Sequence, residues 1–186
     1  MIPVTRDETA TVANAPQVFT VDLGEVAVTD DRNTSLIAHA LGSGVAVCLW
    51  DPETRVAGIL HVLLPDSDKH GELVQAHPAW FADTGVPLLL QIATNYGCQR
   101  SRSLIYLLGG AEVDGAMLPR VQVGRRNIVA ARKALWSAGV LITREINGGD
   151  VARSLALSVC TGTLEISAGD SRTVIEMEGN DGAWIG

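Results

Sequence analysis

Two apolar runs, Gly44 to Trp50 and Val56 to Leu64, are separated only by the polar turn Asp51-Pro52-Glu53-Thr54. Runs joined this tightly read as an antiparallel hairpin. Apolar residues fall on both faces of each run, so both strands are buried on both sides. A hairpin of this kind needs other layers packed on it.

The rest of the chain supplies those layers. From 82 to 96, Val86, Leu89, Leu90, Ala93 and Tyr96 recur at three- and four-residue steps, which predicts a helix. Pro87 is tolerated near its start and Gly97 marks its end. Residues 124–138 repeat the pattern with Ile128, Ala131, Leu135 and Ala138, closed by Gly139. Gln17 to Thr29 alternates and reads as strand, turn at Gly24-Glu25, strand. Ser103–Leu108, Val140–Glu145, Ala152–Val159 and Thr163–Ser167 read as further strands. The expected architecture is α+β, with largely antiparallel sheets and two main helices. One domain is expected over 16–168, after a flexible lead at 1–15 and before a polar, partly disordered tail at 169–186.

Composition narrows the function classes. The 186 residues suit a single domain. No run approaches the ~18 apolar residues of a membrane helix, so no membrane insertion is expected. The N-terminal stretch carries acids and has no apolar segment, unlike a signal peptide. Cys48, Cys98 and Cys160 are odd in number and widely spaced, which argues against a disulfide framework and for the reducing cytoplasm. No Cys/His spacing suggests a metal, and no cofactor is expected. A net charge of −7 disfavours nucleic acid as a partner. Arg125, Arg126 and Arg132 gather near a helix start and read as a solvated face; docking of a small acidic patch on a protein is the lesser reading.

The hairpin also carries the candidate chemistry. A tight turn at Gly42-Ser43 opens its first strand, and the second delivers His61 just ahead of Leu64-Pro65. This places an imidazole beside a neighbouring strand, where a nucleophile would be activated. The position where that group belongs holds Gly44. Cys48 shares the strand face of residue 44 but lies four residues on, about 13 Å along the chain, and reads as a core thiol. Ser43 projects to the opposite side, and the N–H groups from Ser43 to Val45 read as the remains of an oxyanion hole. His39 and His61 lack the carboxylate or thiol that would complete a metal site. His70 and His77 look solvent-facing, and Trp80-Phe81 read as core anchors or, less favoured, as an exposed patch.

Taken in order, Leu41-Gly42-Ser43, His61 with Leu64-Pro65, Gly109-Gly110-Ala111, Gly124-Arg125-Arg126-Asn127, Gly148-Gly149, Arg153 and Thr161-Gly162 resemble the CheD family over residues 17–167. Those proteins are bacterial chemoreceptor glutamine deamidases. The resemblance implies a layered α/β/β/α cysteine-hydrolase fold and a Cys-His-Thr triad that converts a receptor glutamine to glutamate and ammonia. It also implies a CheC phosphatase partner that competes with receptors. Position by position, the family histidine matches His61, the cysteine falls on Gly44, and the threonine falls on Ala38. Tyr106, Leu108, Ile146 and Ala152 also depart from the family pattern. The expectation is a cytoplasmic, catalytically inactive homologue that binds a chemoreceptor cytoplasmic segment or a CheC-like phosphatase. Ser43, Gly109, Gly110 and Ala111 would rim its pocket. The alternative is an active deamidase that uses Cys48 or Ser43 in a rearranged site.

Overall fold

The apolar hairpin forms as its pattern requires. β4 (Val45–Asp51) and β5 (Val56–Val62) pair antiparallel, with Ala46 opposite His61, and every residue of both strands is buried. The computed structural model describes residues 16–68, 70–112 and 122–177. Before the hairpin come β1 (Gln17–Thr20), β2 (Val26–Thr29) and β3 (Thr34–Leu41). After it follow α1 (Gly71–Ala76), a 3-10 turn (Pro78–Trp80), α2 (Ala82–Asn95), β6 (Leu104–Gly109) and α3 (Val123–Ser137). β7 (Arg144–Asn147), β8 (Arg153–Ser158), β9 (Thr163–Ala168) and β10 (Ser171–Glu176) complete the described chain.

Two five-stranded sheets result, ordered β2-β5-β4-β6-β7 and β1-β3-β8-β9-β10. All pairings are antiparallel except β1 with β3 and β6 with β7. The hairpin explains the layering. Val45, Val47, Leu49, Leu60 and Val62 face α2 and α3, while Ala46, Cys48, Trp50, Ala57 and Ile59 face the second sheet. Both long helices contact the sheet of β4 and β5. The fold is α+β, as the residue patterns and the resemblance imply.

α1 and the 3-10 turn have no counterpart in the sequence reading, and three further elements differ from it. β3 escapes it because a bulge breaks its period: Ala38 pairs with Leu155 and Leu41 with Arg153, so β3 carries one extra residue there. The bulge turns both Ala38 and Leu41 inward although they are three positions apart. The strand expected at Val140 begins instead at Arg144, because the Val140 N–H bonds the Leu135 carbonyl to finish α3. The expected tail at 169–186 is corrected in part. Ser171–Glu176 form β10 against β9, and Met177 is buried. β10 is an edge strand with one polar face, so its sequence resembles a tail. The expected lead at 1–15 and residues 178–186 lie outside the described residues.

Candidate functional site

The site lies where the ends of β3, β4, β5 and β6 converge between the sheets. Leu41-Gly42-Ser43-Gly44 turns the chain from one sheet into the other. Ser43 is exposed and Gly44 buried, so consecutive positions face opposite sides. Backbone bonds lock this turn: the Gly110 N–H donates to the Gly44 carbonyl at 2.8 Å, and the Ala111 N–H to the Gly42 carbonyl at 2.7 Å. Gly109 holds φ +105°, and a Cβ on it would stand 2.5 Å from the Gly44 oxygen. No other residue fits there without moving the turn. The Glu112 N–H donates to the Gly149 carbonyl, which brings the later Gly148-Gly149 pair to the same rim.

His61 is 3% exposed and faces the space between the sheets. Neither ring nitrogen has a hydrogen-bond partner among the described residues. Burial pushes its pKa below the ordinary 6.5, while the nearby Val21 carbonyl and Asp22 carboxylate pull it weakly the other way. The ring is therefore neutral at neutral pH. Its Nε2 lies 3.0 Å from where a Cβ on Gly44 would stand; Leu23 Cδ1 and the Val62 carbonyl lie 3.2 Å from the same point. A side chain at position 44 would point straight at the imidazole. Glycine places no side-chain atom there.

Ala38 is fully buried on the inner face of β3, in the same inter-sheet core as Ala46 and Cys48. It offers no hydroxyl. Backbone hydrogen bonds bring Ser43, Gly44, Gly109, Gly110 and Ala111 together. The N–H groups of Ser43 and Gly44 donate no hydrogen bond among the described residues. Cys48 occupies a different relation to His61 from the expected one. Because Ala46 is opposite His61, Gly44 and Cys48 are both diagonal neighbours, at a backbone spacing of about 7 Å. Nε2 nevertheless points to the Gly44 side, and burial alone pushes the Cys48 thiol pKa far up. His39 is exposed while its neighbour Ala38 is buried. No group of three or more potential metal ligands gathers among the described residues.

Other expectations resolve individually. Phe81 is fully buried, whereas Trp80 is half-buried and lies against Gly24. His77 is exposed but stacks on Trp80, and His70, half-buried, lies 5.0 Å from the Phe81 ring. Asn127, which the sequence offers only as the end of the Gly124-Arg125-Arg126-Asn127 motif, is fully buried and donates to two carbonyls of the site. Leu23, beside position 44, carries no signal in the sequence.

Comparison with known proteins decides the family. The family model described as CheD chemotactic sensory transduction matches residues 63–168. The chain belongs to the CheD family. The probable chemoreceptor glutamine deamidase CheD 1 of Syntrophus aciditrophicus (strain SB) is 34% identical over 80% of this chain and 92% of its own length. CheD 2 of Anaeromyxobacter dehalogenans (strain 2CP-C), also named a probable chemoreceptor glutamine deamidase, is 36% identical over 82% and 96%. A relative of that same name from the more distant Pyrococcus horikoshii (strain ATCC 700860 / DSM 12428 / JCM 9974 / NBRC 100139 / OT-3) is 32% identical over 84% and 95%. The matched CheD segment begins at Leu63, beyond both Gly44 and His61.

Proposed function

We propose that this CheD-family chain binds a chemoreceptor cytoplasmic segment or a CheC-like phosphatase and does not hydrolyse the amide it engages. The observation that carries this reading is the vector at position 44: it aims at His61 Nε2 and bears no side chain. Amide hydrolysis by a cysteine route needs a thiolate to form the acyl-enzyme and an imidazole to protonate the leaving ammonia. Glycine does neither. Loss of the nucleophile from such a group removes on the order of 10⁶ in rate. Ala38 removes a second hydrogen-bonding group. The undonated N–H groups of Ser43 and Gly44 suit a carboxamide oxygen, so a glutamine side chain binds without being turned over. The named relatives' activity supports a receptor glutamine as that group.

The second reading, a deamidase using Cys48, rests on the register that sets Cys48 diagonal to His61. Its raised pKa opposes it, because the thiolate is the attacking form. Purified protein incubated with receptor cytoplasmic fragments separates the two. The expected result is complex formation without ammonia. Ammonia release that His61→Ala abolishes would overturn the inactive reading.

A further inference from the structure

The solvent face of α3 stands apart from the rest of this acidic chain. The helix VGRRNIVAARKALWS carries Arg125, Arg126, Arg132 and Lys133 and no acid. Its buried stripe is Gly124, Asn127, Ile128, Ala131 and Leu135. On the opposite side, Arg125, Val129, Lys133 and Trp136 follow one another at three- and four-residue steps and share one face. Val129 is 54% exposed and Trp136 75% exposed. Arg126 pairs with Asp66, and Arg132 with Glu145. Arg125 and Lys133 form no ion pair among the described residues.

We propose that this face docks an acidic, apolar-sided helix of a partner protein. From Arg125 to Trp136 the face runs about 16 Å, three helical turns. Carboxylates spaced one or two turns apart would meet Arg125 and Lys133, and an apolar stripe between them would cover Val129 and Trp136. An exposed tryptophan beside unpaired cations is the composition that concentrates binding energy at interfaces. The chain as a whole carries a net charge of −7, which repels an acidic partner, so the attraction centres on this acid-free helix. A nucleic acid fits poorly. Arg125, Val129 and Lys133 line a groove of about 790 Å³ that Asp66, Asp68 and Asp83 also line, and these acids oppose a continuous polyanion. Sparse carboxylates on a helix avoid that wall.

The test uses the full chain and a fluorescein-labelled helical peptide of about 20 residues, with leucine at the a and d positions and glutamate flanking them. A twin with lysine in place of glutamate is the control. The glutamate peptide is expected to bind, and to weaken at least about tenfold between ~50 and ~300 mM salt. Trp136→Ala should weaken it about tenfold. Arg125→Glu with Lys133→Glu should abolish it and transfer binding to the lysine twin. Circular dichroism confirms that each exposed-surface variant folds. Failure of the glutamate peptide to bind, indifference to the charge reversal, or preference of the unaltered chain for the lysine twin would overturn the proposal. This surface is separate from the Gly44 pocket, so Ser43→Trp should leave peptide binding unchanged whichever way the pocket reading falls.

Discussion

Asn127 donates from Nδ2 to the Ser43 carbonyl at 2.9 Å, and the same nitrogen reaches the Leu63 carbonyl at 3.1 Å. One buried amide on α3 therefore ties the turn just before β4 to the residue just after β5, beside Gly44 and His61. The helix comes close enough for this because a Cβ on Gly124 would stand only 2.7 Å from the Gly110 oxygen. Asn127→Leu keeps the volume and leaves both carbonyls unpaired. It is expected to lower the unfolding free energy by about 2–4 kcal/mol in urea titration. Ser43→Ala, which keeps the carbonyl, should cost far less. Equal losses in the two variants would show that the Asn127 bonds contribute little.

Position 44 can be refilled. Gly44→Cys together with Ala38→Thr should place a thiol beside His61, with a lowered pKa and rapid alkylation at neutral pH. The tight 3.0 Å approach of Nε2 requires the ring to yield by a few tenths of an ångström, which a side-chain end does readily. The exposed Cys160 serves as the internal reference. An introduced thiol that reacts no faster than Cys160 would mean that the position does not match the family cysteine.

His61 couples stability to pH. The folded protein holds its ring neutral with a pKa below 6.5, while the unfolded chain titrates near that value. The unfolded state thus takes up protons first. Stability is full above pH 6.5, declines as pH falls below it, and levels off once the folded ring protonates. His61→Leu should flatten the difference between urea midpoints measured at about pH 7.5 and about pH 5.5. An unchanged pH dependence would assign it to other groups.

The hairpin turn is anchored from below. Arg102 Nε bonds both oxygens of the fully buried Asp51 at 2.8 and 2.9 Å. Burial alone would raise the Asp51 pKa; the guanidinium and the Gln99, Glu53 and Thr54 N–H groups outweigh it and hold the pKa at about 2. Its contribution to stability is present above the ordinary 3.8 and is lost as pH falls through about 2. Arg102→Met leaves a buried carboxylate without its cation and should lower the urea midpoint at neutral pH. An unchanged midpoint would show that the backbone donors suffice on their own.

Local patterning was enough for several elements of this fold. The α2 and α3 stripes and the doubly apolar hairpin follow from period and composition, because burial selects the residues on each face one position at a time. The glycines at 44, 109 and 110 are likewise visible in the chain, since the absence of a side chain is read directly from the residue order. What failed was local pattern under tertiary correction: β3 lost its alternation to the bulge at Ala38–Leu41, and β10 took a partner through only one face.

Long-range contacts alone decided the rest. β1 and β2 are nearly consecutive yet join different sheets, a choice set by which core each strand completes. The register that puts Ala46 opposite His61 makes Gly44 and Cys48 equal candidates along the strand, and only the swing of the ring selects Gly44. Asn127 acts as a clamp because Ser43 and Leu63, distant in sequence, meet α3 in space. Sequence therefore determined which side chains exist and which faces they prefer. Distances between strand ends arise from packing of the whole core, and it is those distances that bring the His61 ring against position 44.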